Sequence, residues 1–370
     1  MTVSPDPWGH KQGGTQGSKR KRPSMNHFSR AAIRAEKRLR VAAAISVLTV
    51  SSVCHAEPQA LDRTSGVSTD CAMWIQKAIA DVEAGLPAEA DAELATALMK
   101  ADNGGAAACK GLILHNQAAI ASISGRFAQG ERLALSAIAV LEKIYSPNDL
   151  ALLRPLLILA STRMEQGNKA GARIAYSRIK GIRSERPHER AMIHAMSGSL
   201  LQSIGERGQA EAEYLAALDT WTEIGRGETA DAGAVLTALG TLYIQERRFE
   251  EAGRFVDRAS AIFSEARNTV PMDRSKLLCV RGKLHSVLGE WPSAERDLRE
   301  ALSLSDSRPA VGAAYMVNLM NSLAEAMKKN HHRREAREID ARVAALLRNN
   351  PLNTAVDLSD LIAPPKPGRK

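Results

Sequence analysis

With 370 residues the chain has material for two or three ordinary domains, and 44% hydrophobic against only 4% aromatic residues suits Ala- and Leu-rich helices. The net charge of +9 sits almost wholly at the front: residues 1–56 hold ten Lys/Arg against Asp6 and Glu36, leaving +1 for residues 57–370. That near-neutral remainder lacks clustered aromatics for base stacking, so the high isoelectric point does not argue for nucleic-acid binding beyond the front.

Residues 1–24 are Gly, Pro, Ser and Lys/Arg without periodicity and read as a disordered basic lead. Arg34, Lys37, Arg38 and Arg40 then precede an uncharged run at 41–53, followed by Cys54-His55-Ala56. A basic lead, an apolar run and small residues before a cut are the parts of a secretory signal, here residues 25–56 with cleavage expected after Ala56. The run is too short to span a bilayer, which takes ~20 helical residues. Met25 would give a signal of ordinary length, and the processed chain is expected in the periplasm or secreted. Two rivals stand beside this reading. One is a lipoprotein box at Cys54, for which Val53 is poorly suited. The other is a cytosolic module that keeps Lys19, Arg20, Lys21 and Arg22 as a nucleic-acid or membrane patch. Residues 57–67 form a polar linker, and Ser68-Thr69-Asp70 is a helix start.

From residue 68 to 349 one pattern recurs. Its clearest copies are Gly240, Tyr243, Phe249, Ala252, Ala259, Ile262 and, 42 residues later, Gly282, His285, Trp291, Ala294, Ala301, Leu304. If Gly233 and Ser275 are position 1, these are positions 8, 11, 17, 20, 27 and 30. Carried along the chain, position 8 is Ala78, Ala118, Ala160, Gly198, Gly240, Gly282 and Ala324. Position 20 is Ala90, Gly130, Ala172, Ala210, Ala252, Ala294 and Ala336. Position 15, a turn, is Gly85, Gly125, Gly167, Gly205 and Gly289, lapsing to Arg247 and His331. Glycine there suits a helix C-cap that needs positive φ. The outermost copies are degenerate: Asp81 and Ala121 replace the large position 11, and Asp340 an apolar position 24. Residues 350–370 end in Pro364-Pro365-Lys366-Pro367-Gly368-Arg369-Lys370 and read as a flexible tail.

This small, large, large, small, small series resembles the tetratricopeptide repeat, and the 42-residue unit is similar to the kinesin-light-chain type. The resemblance covers residues 71–349 and implies an all-α, right-handed solenoid of about seven helical hairpins that binds protein partners. It places the concave face on the first helix of each hairpin, at positions 2, 5, 6, 9, 12 and 13. Those positions hold Ile75, Ile79, Val82, Leu112, Ile123, Leu157, Ile158 and Met164 early, then Met192 and Met196. Late repeats hold Lys276, Lys283, Ser286, Asn318, Asn321, Lys328 and Lys329, opposed only by Glu325. The expected partner is therefore a peptide or helix with an apolar and an acidic stretch, contacted by Met192, Met196, Lys276, Lys283, Asn318, Asn321 and Lys328. The alternative is that the apolar residues pack internally and the lysines are solvated. The clamp that chaperone-binding members use is not reproduced, since Ile75 and Ile79 stand where its Lys and Asn would be, although Asn116 matches one position. First helices of neighbouring hairpins run side by side, so Cys71 and Cys109 come close enough for a disulfide; the alternative is two small buried thiols.

No constellation supports catalysis, and no cofactor or metal is expected. His331 and His332 are adjacent and point ~100° apart on a helix. His188-Glu189 with His194 has the wrong spacing for the zinc-protease motif. Ser177-Arg178-Ile179-Lys180 fits an acyl-serine motif but has no partner motif.

Overall fold

The computed structural model describes residues 69–103, 107–265, 271–306 and 313–349, and among them it contains fourteen α-helices, one 3-10 turn and no strand. The signal, the linker and the tail expected from the sequence lie outside the described residues. The helices pair as seven hairpins: α1 (Thr69–Glu83) with α2 (Pro87–Asn103), α3 (Ala107–Ile123) with α4 (Phe127–Leu141), and α5 (Leu153–Glu165) with α6 (Lys169–Ile179). Then come α7 (Pro187–Ile204) with α8 (Arg207–Glu223), α9 (Ala230–Glu246) with α10 (Phe249–Glu265), α11 (Pro271–Leu288) with α12 (Trp291–Asp306), and α13 (Ala313–Lys329) with α14 (Arg333–Asn349).

Each hairpin turns in the same way. The residue at position 15 takes a left-handed conformation, with φ between 75 and 99° at Gly85, Gly125, Gly167, Gly205 and Gly289. Arg247 and His331, where glycine lapses, adopt it too, with φ of 65 and 67°. The next residue's N–H then reaches back five residues, as Glu206 to Leu201 O (2.9 Å), Arg248 to Tyr243 O (2.9 Å) and His332 to Met327 O (2.8 Å). This satisfies a carbonyl that the ending helix would otherwise leave orphaned. Links between hairpins use local caps: Asp149 accepts from the Ala151 N–H (2.8 Å) ahead of α5, and Pro187 opens α7.

Position 8 is small because position 24 of the returning helix lies against it. A Cβ on Gly198 would stand 2.7 Å from the Tyr214 ring, one on Gly240 2.8 Å from Val256, and one on Gly282 2.6 Å from Leu298. Those three partners are fully buried. Buried side chains form successive clusters along the chain. One holds Cys71, Ile75, Leu94, Cys109 and Ile113, another runs from Ala191 to Leu284, and a last one from Leu278 to Val343. A stack without a single centre is what a solenoid requires.

The two helices of a hairpin occupy different layers. Each first helix packs directly on the next first helix, from α1 on α3 through to α11 on α13. Second helices pack on the first helices at either side and have no comparable packing on one another. The stack therefore curves toward the closely spaced layer, so the odd-numbered helices line the inner face. The outer layer is joined by long ion pairs: Arg126–Asp91 (2.9 Å), Arg173–Glu206 (2.5 Å), Arg248–Glu211 (3.1 Å), Arg299–Glu335 (2.5 Å) and Arg342–Asp306 (2.8 Å).

Candidate partner-binding groove

The inner face is continuous over the odd-numbered helices, and its chemistry differs from the expected apolar and basic halves. Of the early apolar residues, Ile75, Val82, Leu157, Ile158 and Met164 are buried in the core clusters, and Ile79 and Leu112 pack against one. Met196, at 8% exposure, is a core residue, and Met192 is half-buried between two clusters. Close packing of successive first helices sandwiches these side chains, so they fill the stack and do not form open pockets. Ile123 alone of that set is exposed, at 37%.

The late cations are not opposed by Glu325 alone. Lys276 pairs with Asp273 (3.3 Å) one turn earlier, their side chains only 11% and 14% exposed, and burial pushes the Lys276 pKa down. Lys283 donates to the Asn318 side-chain Oδ1 across α11 and α13, and it also opposes the upward shift that burial imposes on the Cys279 thiol. Lys328 pairs with Asp340 (2.8 Å) of its own hairpin, and Lys329 lies over the Trp291 ring at 5.6 Å. Asn321 and Glu325 are exposed. The C-terminal half of the groove is thus largely satisfied from within, and its formal charge overstates its pull on an acidic partner.

Hydroxyls line the middle and late groove. Thr237 donates to Gly233 O (2.9 Å), Thr241 to Thr237 O (3.1 Å) and Ser286 to Gly282 O (2.9 Å). With their protons committed to the helix, these oxygens can only accept.

His115, Glu165 and Gln202, all at groove positions, each carry a buried or half-buried polar group without a partner among the described residues, and reading the sequence for apolar and cationic side chains passed over them. His115, position 5 of the second hairpin, is 2% exposed with no partner for Nε2. Burial, with the nearby Arg154 charge, pushes its pKa down to about 3, so the ring is neutral. Glu165, position 13 of the third, is half-buried, and burial pushes its carboxyl up to about 7. Gln202, position 12 of the fourth, accepts from the Tyr214 hydroxyl (2.9 Å) through Oε1 and leaves Nε2 without an acceptor. Applying the same register to polar residues finds all three.

The remaining candidates are placed as follows. Cys71 and Cys109 are bonded to each other, with Cα atoms 5.9 Å apart, which ties α1 to α3; Cys279 is free and buried. His332 places Nδ1 2.9 Å from both Glu295 oxygens. His194 meets Glu213 (2.6 Å), His188 accepts from the Trp221 indole N–H (3.0 Å), and Ser177 donates to Arg173 O (3.1 Å). Among the described residues no three His, Cys, Asp or Glu side chains gather as a metal ion would need, and no helix is long and apolar enough to cross a membrane.

No family model and no curated protein matches the chain. Solved structures do. The apo form of RapI superposes with a TM-score of 0.54 at 13% identity, over 75% of this chain and 98% of that one. A Rap protein complexed with competence and sporulation factor gives 0.51 at 14% identity, over 89% and 99%. Cut9, from the APC/C hetero-tetramer Cut9–Hcn1, gives 0.51 at 11% identity, over 88% and 57%. At such identities the likeness is one of fold. Together with the shared turn and the small-residue contacts, it makes this chain an all-α solenoid of tetratricopeptide-type hairpins.

Proposed function

We propose that the chain is a non-enzymatic adaptor that is exported and holds a peptide or helix of a partner protein along its inner face. The observation that carries this reading is the unbroken packing of first helix on first helix, which gives one continuous surface across all seven hairpins. We read the 42-residue hairpins as the long, kinesin-light-chain-like variety. The Rap protein complexed with competence and sporulation factor shares the fold and has a bound partner, which supports a protein or peptide ligand here. Export is supported by the signal-like front of the chain and by the Cys71–Cys109 bond, which persists in oxidising compartments.

A photo-crosslinking residue tests the binding face. Placed at Asn321 on α13 it should capture a partner in the native cells, whereas at the exposed Arg254 on α10 it should not. Capture from Arg254 alone would move the site to the outer layer. The mass of the chain purified from those cells tests export, and retention of residues 1–56 would favour the cytosolic reading.

A further inference from the structure

Most groove charges described so far have partners inside the protein; among the described residues the exposed Glu325 and, near the middle, the half-buried Glu165 have none. Ile123, Glu165 and Gln202 occupy positions 13, 13 and 12 of consecutive first helices, so they share one level on α3, α5 and α7, which pack directly on each other. Ile123 offers an exposed aliphatic surface. Glu165 is half-buried, and among the described residues no donor bonds its carboxylate; the neighbouring Arg163 is committed to Glu131 (2.8 Å). The raised pKa of Glu165, whose sole cause is desolvation, agrees with a carboxylate left without a counter-charge. Gln202, on one level with them, keeps a buried amide N–H donor without an acceptor.

A desolvated carboxylate without a partner is unfavourable in the free protein, and a ligand that pairs it removes that cost. We propose that this level of the groove receives a lysine or arginine side chain of the bound peptide. The aliphatic stem lies on Ile123 and the cation pairs with Glu165. The assignment rests on the groove reading above, and it replaces an acidic stretch in the partner with a basic residue at this point. Acidic recognition at the late lysines would have to displace Asp273 and Asp340, whereas Glu165 has nothing to displace.

A random peptide library displayed on phage and selected against the whole solenoid tests this without knowledge of the natural partner. Peptides selected on the wild type should be enriched in Lys or Arg at one position. Glu165→Gln, nearly isosteric and only half-buried, should weaken the winning peptide by about 10- to 100-fold, the usual worth of a hydrogen bond to a charged group. Glu165→Lys should shift the selection toward Asp or Glu at that position. Peptides that compete with a crosslink at Asn321 yet show no basic enrichment, or that bind Glu165→Gln unchanged, overturn this subsite and leave the groove reading intact. Winning peptides that crosslink only at Arg254 overturn both. Circular dichroism and the unfolding midpoint of each variant, expected at or above the wild-type value for Glu165→Gln, separate lost recognition from lost fold.

Discussion

The hairpin turn gives the sharpest test of the register, because three substitutions should act through the backbone alone and in opposite directions. At Gly205, φ is +99° and a Cβ would meet nothing within 4 Å, so Gly205→Ala adds no clash and only forces an L-residue into the left-handed region. That region costs a non-glycine roughly 1–2 kcal/mol, against roughly 0.5–1 kcal/mol recovered from the smaller entropy of the unfolded chain. A net loss of about 1 kcal/mol is expected. Arg247 already bears that strain at φ 65°, and its exposed side chain makes no hydrogen bond or ion pair among the described residues, so Arg247→Gly should gain about 0.5–1 kcal/mol. Gly253 lies inside α10 with ordinary helical φ and equally open surroundings, and Gly253→Ala should gain about 0.5–1 kcal/mol from helix propensity. Urea unfolding followed by circular dichroism measures the three midpoints. Hydrogen exchange at the amides flanking each turn measures the local effect, which matters because a solenoid need not unfold in one step. If Gly205→Ala and Gly253→Ala shift stability in the same direction, the turn is not what fixes position 15.

Glu165 is an acid whose folded pKa, about 7, lies above its ordinary 4.5. Stability linked to it is therefore full below pH 4.5 and declines as pH rises through 7, so Glu165→Gln should stabilise by roughly 1–3 kcal/mol at pH 8 and hardly at pH 4.5 in urea titrations. His115 has the opposite sign: its pKa falls from 6.5 to about 3, so the fold is favoured above 6.5 and loses about 2 kcal/mol by pH 5. His115→Asn should flatten that acid limb. Gly282→Ala, which drives a Cβ to 2.6 Å from Leu298, should cost roughly 1–3 kcal/mol by overpacking, visible as a lower midpoint and faster exchange in α11 and α12. Reduction of Cys71–Cys109, which span 38 residues, should cost roughly 4 kcal/mol in the chain-entropy description, and exchange should rise first in α1 and α2.

Positions 8, 15 and 20 were legible in the sequence because backbone geometry restricts them to few residue types. A methyl group too many at Gly198, Gly240 or Gly282 strikes a buried side chain of the returning helix. Arg247 and His331 escaped the pattern at position 15 because their side chains point to solvent and only the backbone bears the strain. The groove was harder to read. Its positions could be listed, but whether a lysine there is free depends on residues at other positions, such as Asp273 and Asp340. Whether Met196 is surface or core depends on how closely α5, α7 and α9 pack, which no pattern on one helix encodes. Glu165 and Gln202 stood at groove positions in plain view. Their significance lies in the partners they lack, which only the assembled structure shows.

The difference between the two layers has a mechanical consequence. The inner helices are in direct contact along the whole stack, while the outer ones pack on the inner helices at either side and reach one another only through arginine side chains in exposed ion pairs. Such pairs contribute about 0–1 kcal/mol each and weaken with salt. The molecule is therefore a spring whose outer layer is coupled partly by packing on the inner helices and partly by salt-sensitive ion pairs. Its curvature responds to ionic strength while its hairpins stay folded, and small-angle scattering should register this as a change in radius of gyration at constant helicity. A ligand that needs a wider or narrower channel therefore works against helix packing as well as against the arginine links, and salt weakens only the second of these.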